Sequence, residues 1–198
     1  MKNVLMKNLI ALTLLLAATV FAAGAKVPAA VDRAVGQIKA APAIDVECTI
    51  NGHAASATLC GDMFAFDFGQ ARVFYDGQTQ WSYSPADKEV TVFTPTAAEL
   101  AESNPLRILS RLASDYSGAA VNGRPNTVRL SALNPKNQIN EVTVTFNPQT
   151  GWPTEMTIIS GGSRAELRNF RFAPSKTKKP VEAFRFQAPK GTTINDLR

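Results

Sequence analysis

The chain has 198 residues, 45% of them hydrophobic, with 21 basic and 16 acidic side chains and a formal charge of +5. That length supports one domain with a real core, and the charge is too mild to argue for nucleic acid. Two cysteines and one histidine leave no second ligand set for a metal centre.

Lys2 and Lys7 flank the start of an apolar run from Leu9 to Phe21, and small residues follow at Val20-Phe21-Ala22 and Ala23-Gly24-Ala25. A positive n-region, a run short for a membrane span and A-x-A-like sites predict a cleaved signal peptide over residues 1–25. The mature chain, residues 26–198, is then one exported domain of roughly 175 residues. No cysteine lies near the cleavage sites, so this chain is not expected to carry a lipid anchor. Without Lys2 and Lys7, 19 basic residues face 16 acidic ones.

Val27, Val31, Val35 and Ile38 recur at helical spacing and predict a modest amphipathic helix over Ala29–Lys39, stopped by Pro42. From Ile44 the period changes to two. Ile44, Val46, Cys48 and Ile50 alternate with Asp45, Glu47 and Thr49, which turns Cys48 inward. Asn51-Gly52 marks a hairpin, and Ala55–Cys60 returns. If Ala55, Ala57 and Leu59 form its apolar face, Cys60 points outward. A bulge, or a face of Ser56, Thr58 and Cys60, would let Cys60 meet Cys48 in a disulfide. The sequence leaves both arrangements open.

Gly61-Asp62 turns the chain into Phe64–Phe68, whose three phenylalanines share one face. Val73–Tyr75, the Asp76-Gly77 hairpin signal, Gln78–Tyr83, the turn Ser84–Lys88 and Glu89–Phe93 complete a first run of strands. After Pro95, Thr96-Ala97-Ala98-Glu99 reads as a capping box, and Asn104-Pro105 restarts a helix. Leu106, Leu109, Leu112 and Tyr116 line one face of that helix, Ile108 and Ala113 widen it, and Arg111 and Asp115 can pair along it. Strands resume at Thr127–Leu133, Glu141–Phe146, Pro153–Ile159, Ser163–Phe172 and Ala183–Gln187, with a solvated loop at Lys176–Lys179. Many short strands in meander order predict one large antiparallel sheet, curled or half closed, carrying a helical insertion.

Catalytic motifs are missing. There is no G-x-S-x-G, H-E-x-x-H, C-x-x-C, phosphate loop or dinucleotide fingerprint. His53 beside the Asn-Gly turn reads as plain surface, and Asp67, Asp76 and Glu89 show no evident partners as paired carboxylates. An enzyme is not expected. The prominent feature is apolar: Phe64, Phe66, Phe68, Phe74, Trp81, Tyr83 and Phe93 crowd the first half of the sheet, beside helices with leucine faces. Such rings are commonly plain core, but a sheet lidded by helices also makes a ligand site.

The stretch Tyr75-Asp76-Gly77-Gln78-Thr79-Gln80-Trp81-Ser82-Tyr83, followed by Glu89-Val90, resembles the DG-x-x-x-W-x-Y…V signature of LolA-like lipoprotein carriers. Thr94-Pro95, Glu99-Leu100 and Asn104-Pro105 fall where that family has its helical segment. Phe184-Arg185-Phe186, Pro189 and Ile194–Arg198 resemble its closing strand and tail. The resemblance implies an incompletely closed antiparallel β-barrel with a helical lid over its apolar concave face. It implies a periplasmic monomer without cofactor or metal that takes acylated lipoproteins from an inner-membrane releasing transporter to an outer-membrane receptor. Expected ligand contacts are Phe64, Phe66, Trp81, Tyr83 and Phe93 on the sheet and Leu100, Leu106, Leu109 and Leu112 on the lid, with Ala29–Lys39 as a second lid element. The family's early-strand arginine latch has no counterpart in Leu59–Phe68, and Arg72 is not a match for it. A carrier of another amphiphile, such as a glycolipid, would share the same fold.

Overall fold

A computed structural model describes residues 29–103 and 115–198. Helix α1 spans Ala29–Ala40, where the apolar spacing placed it, and ends two residues before Pro42. Six strands follow as an antiparallel meander: β1 (Ala43–Ile50), β2 (His53–Cys60), β3 (Met63–Asp67), β4 (Arg72–Tyr75), β5 (Gln80–Ser84) and β6 (Glu89–Phe93). Helix α2 (Ala97–Ser103) opens on the expected capping box. The Thr96 amide donates to Glu99 Oε2 at 2.8 Å, and the Glu99 amide donates back to Thr96 Oγ1 at 3.2 Å. Then come β7 (Tyr116–Ala120), β8 (Thr127–Ala132), β9 (Ile139–Phe146), β10 (Pro153–Ser160), β11 (Ser163–Ser175), a 3-10 turn over Val181–Phe184, and β12 (Thr193–Asp196).

All twelve strands form one sheet in the order β12-β6-β5-β4-β3-β2-β1-β11-β10-β9-β8-β7. β7 and β12 stand at opposite ends and do not pair with each other, so the expected half-closed barrel is an open sheet. It is also not wholly antiparallel, because β12 runs parallel to β6. A parallel neighbour needs a long crossover. The connection from β6 runs through α2 and β7–β11, and its last stretch, residues 176–192, sets Lys179, Phe184 and Phe186 on the back of the sheet.

Alternation assigns the two faces. Ile44, Val46, Cys48 and Ile50 of β1 lie level with Leu59, Ala57, Ala55 and His53 of β2, and Leu59 and Ala57 lie level with Phe64 and Phe66 of β3. Together with Val73, Tyr75, Val128, Leu130, Val142, Val144, Phe146, Met156, Ile158 and Leu167 they build the main core. Ala34, Val35 and Ile38 of α1 and Leu100 of α2 pack on this face, here called the inner face. Leu167 and Phe172 both belong to it although five residues separate them, an odd number that a regular strand would split between faces. A bulge in β11 opposite Glu47–Thr49, with Asn169 at φ 59, resets the phase.

Several expectations change. Tyr116 does not end a leucine-faced helix. It begins β7, buried, with its hydroxyl donating to the Ile139 carbonyl at 3.0 Å. The β7 sequence Tyr-Ser-Gly-Ala-Ala lacks the branched residues that mark a strand. Leu106, Leu109, Leu112, Ile108, Ala113 and Arg111 lie outside the described residues. Ala183–Gln187 is not a strand, since Val181–Phe184 coils behind Pro180, and β12 takes the edge position instead. Cys48 faces the inner core, while Cys60 packs on the opposite side with Ala43 and Phe184. Ala55 is level with Cys48, and Cys60 lies five residues further along β2, a separation of about 17 Å at strand rise. That is beyond any disulfide, and both thiols are free.

Burial pushes the Cys48 thiol up to about 12, so it stays protonated at neutral pH. Iodoacetamide at pH 8 is expected to label neither buried cysteine in the native protein and both in urea, with no reductant needed, as mass spectrometry will read. Phe184 is fully buried. Phe184→Ala is expected to cost about 3–5 kcal/mol in urea unfolding.

Candidate functional site

The inner face carries a line of aromatic rings. Alternate positions along β3 and the residue just after it place Phe64 and Phe66 at 4.9 Å between centroids and Phe66 and Phe68 at 5.9 Å. Tyr75, level with Phe64 on β4, lies 5.4 Å from it, and its hydroxyl donates to the Gly77 carbonyl at 2.8 Å. Phe93 shares this face, because Phe64, Tyr75, Gln80 and Phe93 form one cross-strand row, and it is half buried. Leu100 is buried against the same cluster. Four expected contacts, Phe64, Phe66, Phe93 and Leu100, are therefore on the face that α1 covers.

Trp81 and Tyr83 are not. Their register partners, Phe74 and Arg72, point to the outer face. There Tyr83, Val90, Val92 and Trp81 form a separate cluster capped by Phe186, whose ring lies 4.8 Å from Tyr83 and 5.5 Å from Phe74. Two ion pairs bind this C-terminal segment to the outer face. Lys179 Nζ reaches both Asp45 oxygens at 2.5 and 2.6 Å, with Thr58 donating to the same carboxylate. Arg185 Nε donates to Asp76 Oδ2 at 3.0 Å, while Oδ1 accepts the amides of Gln78 and Thr79 at 3.0 and 2.9 Å. Burial alone would raise both carboxyls, but these donors outweigh it and hold each below its usual 3.8. The aspartate–glycine signature thus serves the structure, since it closes a turn and grips the tail.

Helix α1 is attached to the other end of the sheet. Arg33 donates through Nη2 to the Gln149 carbonyl at 2.7 Å and through Nη1 to the Pro148 carbonyl at 3.4 Å. Gln37 Nε2 donates to the Thr150 carbonyl at 3.0 Å. Gly151 closes this β9–β10 turn at φ +78, and a Cβ there would sit 2.8 Å from Arg33 Cδ. Only glycine allows both the turn and the approach of the arginine. Trp152, next in sequence, stacks on Phe172 of the inner face at 4.5 Å. Sequence spacing did not single out Arg33, Gln37 or the turn carbonyls, which lie more than a hundred residues apart. Arg72 pairs with Asp67 at 2.9 Å on the outer face, away from α1.

At the hairpin end of β1 and β2 lies a cleft of about 250 Å³, lined by Ile50, Asn51, His53, Ala54, Ala55, Phe68 and Gln70. His53 is the exposed first residue of β2, not a loop residue, and stands on the rim of this cleft. Asp67, Asp76 and Glu89 do not converge, since the first is held by Arg72 and the second by its turn and Arg185, while Glu89 is exposed at the start of β6. Among the described residues no three His, Cys, Asp or Glu side chains gather as a metal site. No helix among them is long and apolar enough to cross a membrane.

The family model for the outer membrane lipoprotein carrier protein LolA matches residues 23–162. The chain belongs to this family. Members of the LolA family are carriers and binding proteins. Among solved structures, an uncharacterized conserved protein from Thermus thermophilus is 10% identical, with a TM-score of 0.53 over 85% of this chain and 97% of that one. That likeness concerns the fold. A LolA superfamily protein from Nitrosomonas europaea is 8% identical, with a TM-score of 0.30 over 73% of this chain and 88% of its own. A putative outer membrane lipoprotein-sorting protein domain from Vibrio parahaemolyticus is 12% identical, with a TM-score of 0.34 over 72% and 87% of the two chains. No curated protein sequence matches the chain.

Because Asp76 has a lower pKa folded than unfolded, its contribution is complete above about pH 4 and is lost as pH falls through the folded value. Asp76→Asn is therefore expected to destabilise the protein at pH 7, by a margin that shrinks towards pH 2, in urea unfolding at both pH values.

Proposed function

We propose that this protein is a periplasmic carrier that shields the acyl chains of lipoproteins on their way from the inner to the outer membrane. In this reading it receives cargo from an inner-membrane releasing transporter and yields it to an outer-membrane receptor. The observation that carries the proposal is the cover of the inner face. A broad apolar surface packs against a helix whose described side chains Arg33 and Gln37 fasten it to carbonyls of one turn.

The physics of the cargo asks for such a surface. Each acyl methylene left in water costs about 0.8 kcal/mol, so a lipoprotein cannot cross an aqueous space unshielded. Burial is non-directional, and hydrocarbon can replace a helix's Val35 and Ile38 on the inner face at comparable gain. The inner face is filled by protein side chains, so cargo displaces its cover rather than entering an empty chamber. Exchange of one apolar partner for another needs no nucleotide and can run in either direction.

A purified, fluorescently labelled lipopeptide is expected to bind the protein and to stay soluble in its presence. Arg33→Ala, which frees α1 from the β9–β10 turn, is expected to speed lipopeptide uptake in stopped-flow fluorescence. Absence of lipopeptide binding by the parent protein would refute the proposal.

A further inference from the structure

We infer that the cleft between the β1–β2 and β3–β4 turns is the port at which one acyl chain enters the inner face, its neutral ester or amide head held at the rim. This rests on the carrier reading above and adds to it a place and a direction.

The cleft floor and the main core are one surface. Ile50, Ala55 and Phe68, which form the floor, are all members of the core cluster, between 5% and 8% exposed. From Phe68 the rings continue inward through Phe66 and Phe64 to Tyr75, each in contact with the next. A chain lying in the cleft therefore points along this line of rings, on which its later methylenes can lie as the cover of the inner face gives way. At about 250 Å³ the cleft is smaller than the 300–1,000 Å³ common for small-molecule sites. It suits a narrow chain better than a folded peptide or a ring system.

The rim defines the head. Asn51, His53 and Gln70 are hydrogen-bonding side chains, and no lysine, arginine, aspartate or glutamate lines the cleft. Such a rim offers no fixed charge to pair with a carboxylate or phosphate, whose burial without a partner is costly. Ester and amide carbonyls need only donors. One wall is rigid: the Asn51 amide donates to the Glu166 carbonyl, and Asn51 Oδ1 accepts the Glu166 amide, both at 2.8 Å. Gln70 on the facing turn is exposed, its amide donating to the Phe68 carbonyl at 2.8 Å.

The test places a reporter on the rim. Gln70→Trp adds a tryptophan at an exposed turn, away from Trp81 on the outer face, and Trp152→Phe removes the inner-face tryptophan from variant and parent alike. Fatty-acid methyl esters carrying bromine either beside the ester or at the chain end are titrated at pH 8 into this variant and into the parent. Loss of the added fluorescence with the ester-side bromine, and little loss with the chain-end bromine, is the expected result. Ala55→Met, which fills the floor, is expected to weaken ester uptake severalfold while leaving the unfolding transition cooperative. The free acids are expected to bind more weakly than the esters. Equal quenching of variant and parent, or stronger quenching by the chain-end bromine, overturns the port while lipopeptide binding by the parent still stands. If the parent binds neither lipopeptide nor ester, the carrier reading falls and the port falls with it.

Discussion

An open sheet cannot bury its own inner face, and this one presents a surface of leucine, isoleucine, valine and phenylalanine too large to leave in water. At about 25 cal/mol per Å² of apolar area, the sheet demands a cover. Helix α1 helps meet that demand through shape, with Ala34, Val35 and Ile38 buried in the core of the inner face. Arg33 and Gln37 fasten it to the carbonyls of one turn. Apolar burial is non-directional, so the large gain of covering the face does not by itself specify the helix as its occupant.

The outer face is built on the opposite plan. Opposed positions carry opposite charges, Arg168 with Glu155, Arg171 with Glu47 and Arg72 with Asp67, on strands that are neighbours. Exposed pairs of this kind add little stability, but they fix register and keep the surface wet. Where β4–β6 turn rings outward instead, the C-terminal segment covers them with Phe186, seats Phe184 beside Ala43 and Cys60, and is tied down by Lys179 and Arg185. One side of the sheet is held by directional bonds and the other mainly by contact area.

Local pattern made β1 to β6 and α1 readable in the sequence. Alternation, Asn51-Gly52, Asp76-Gly77 and the Thr96–Glu99 box each act within a few residues and need no distant partner. What failed to show depends on the far side of the fold. Alternation separates Trp81 from Ser82 but does not say which of them meets the helix, and here Gln80 and Ser82 face inward while Trp81 is given to the tail. β7 is strand through its pairing with β8 rather than through its own small residues. β12 exists because residues 176–192 bring it beside β6, and its four residues are all exposed, leaving no buried pattern to read. Arg33 and its carbonyl partners meet only in three dimensions. Three phenylalanines in alternate positions show in the sequence that Phe64, Phe66 and Phe68 share a face, but not which cover that face meets.

The junction of β1 with β11 lies in the middle of the sheet and joins two segments more than a hundred residues apart in sequence. Until it forms, each half of the chain exposes a long unpaired border, the kind of template on which chains aggregate. Pairing so distant in sequence also slows folding, since loop closure must precede any reward. Neither half is expected to persist alone, and the nascent protein passes through a vulnerable interval before its central seam is sewn. The same seam then ties the finished molecule together. A border strand can fray and leave the middle intact, but the middle cannot part without losing both halves.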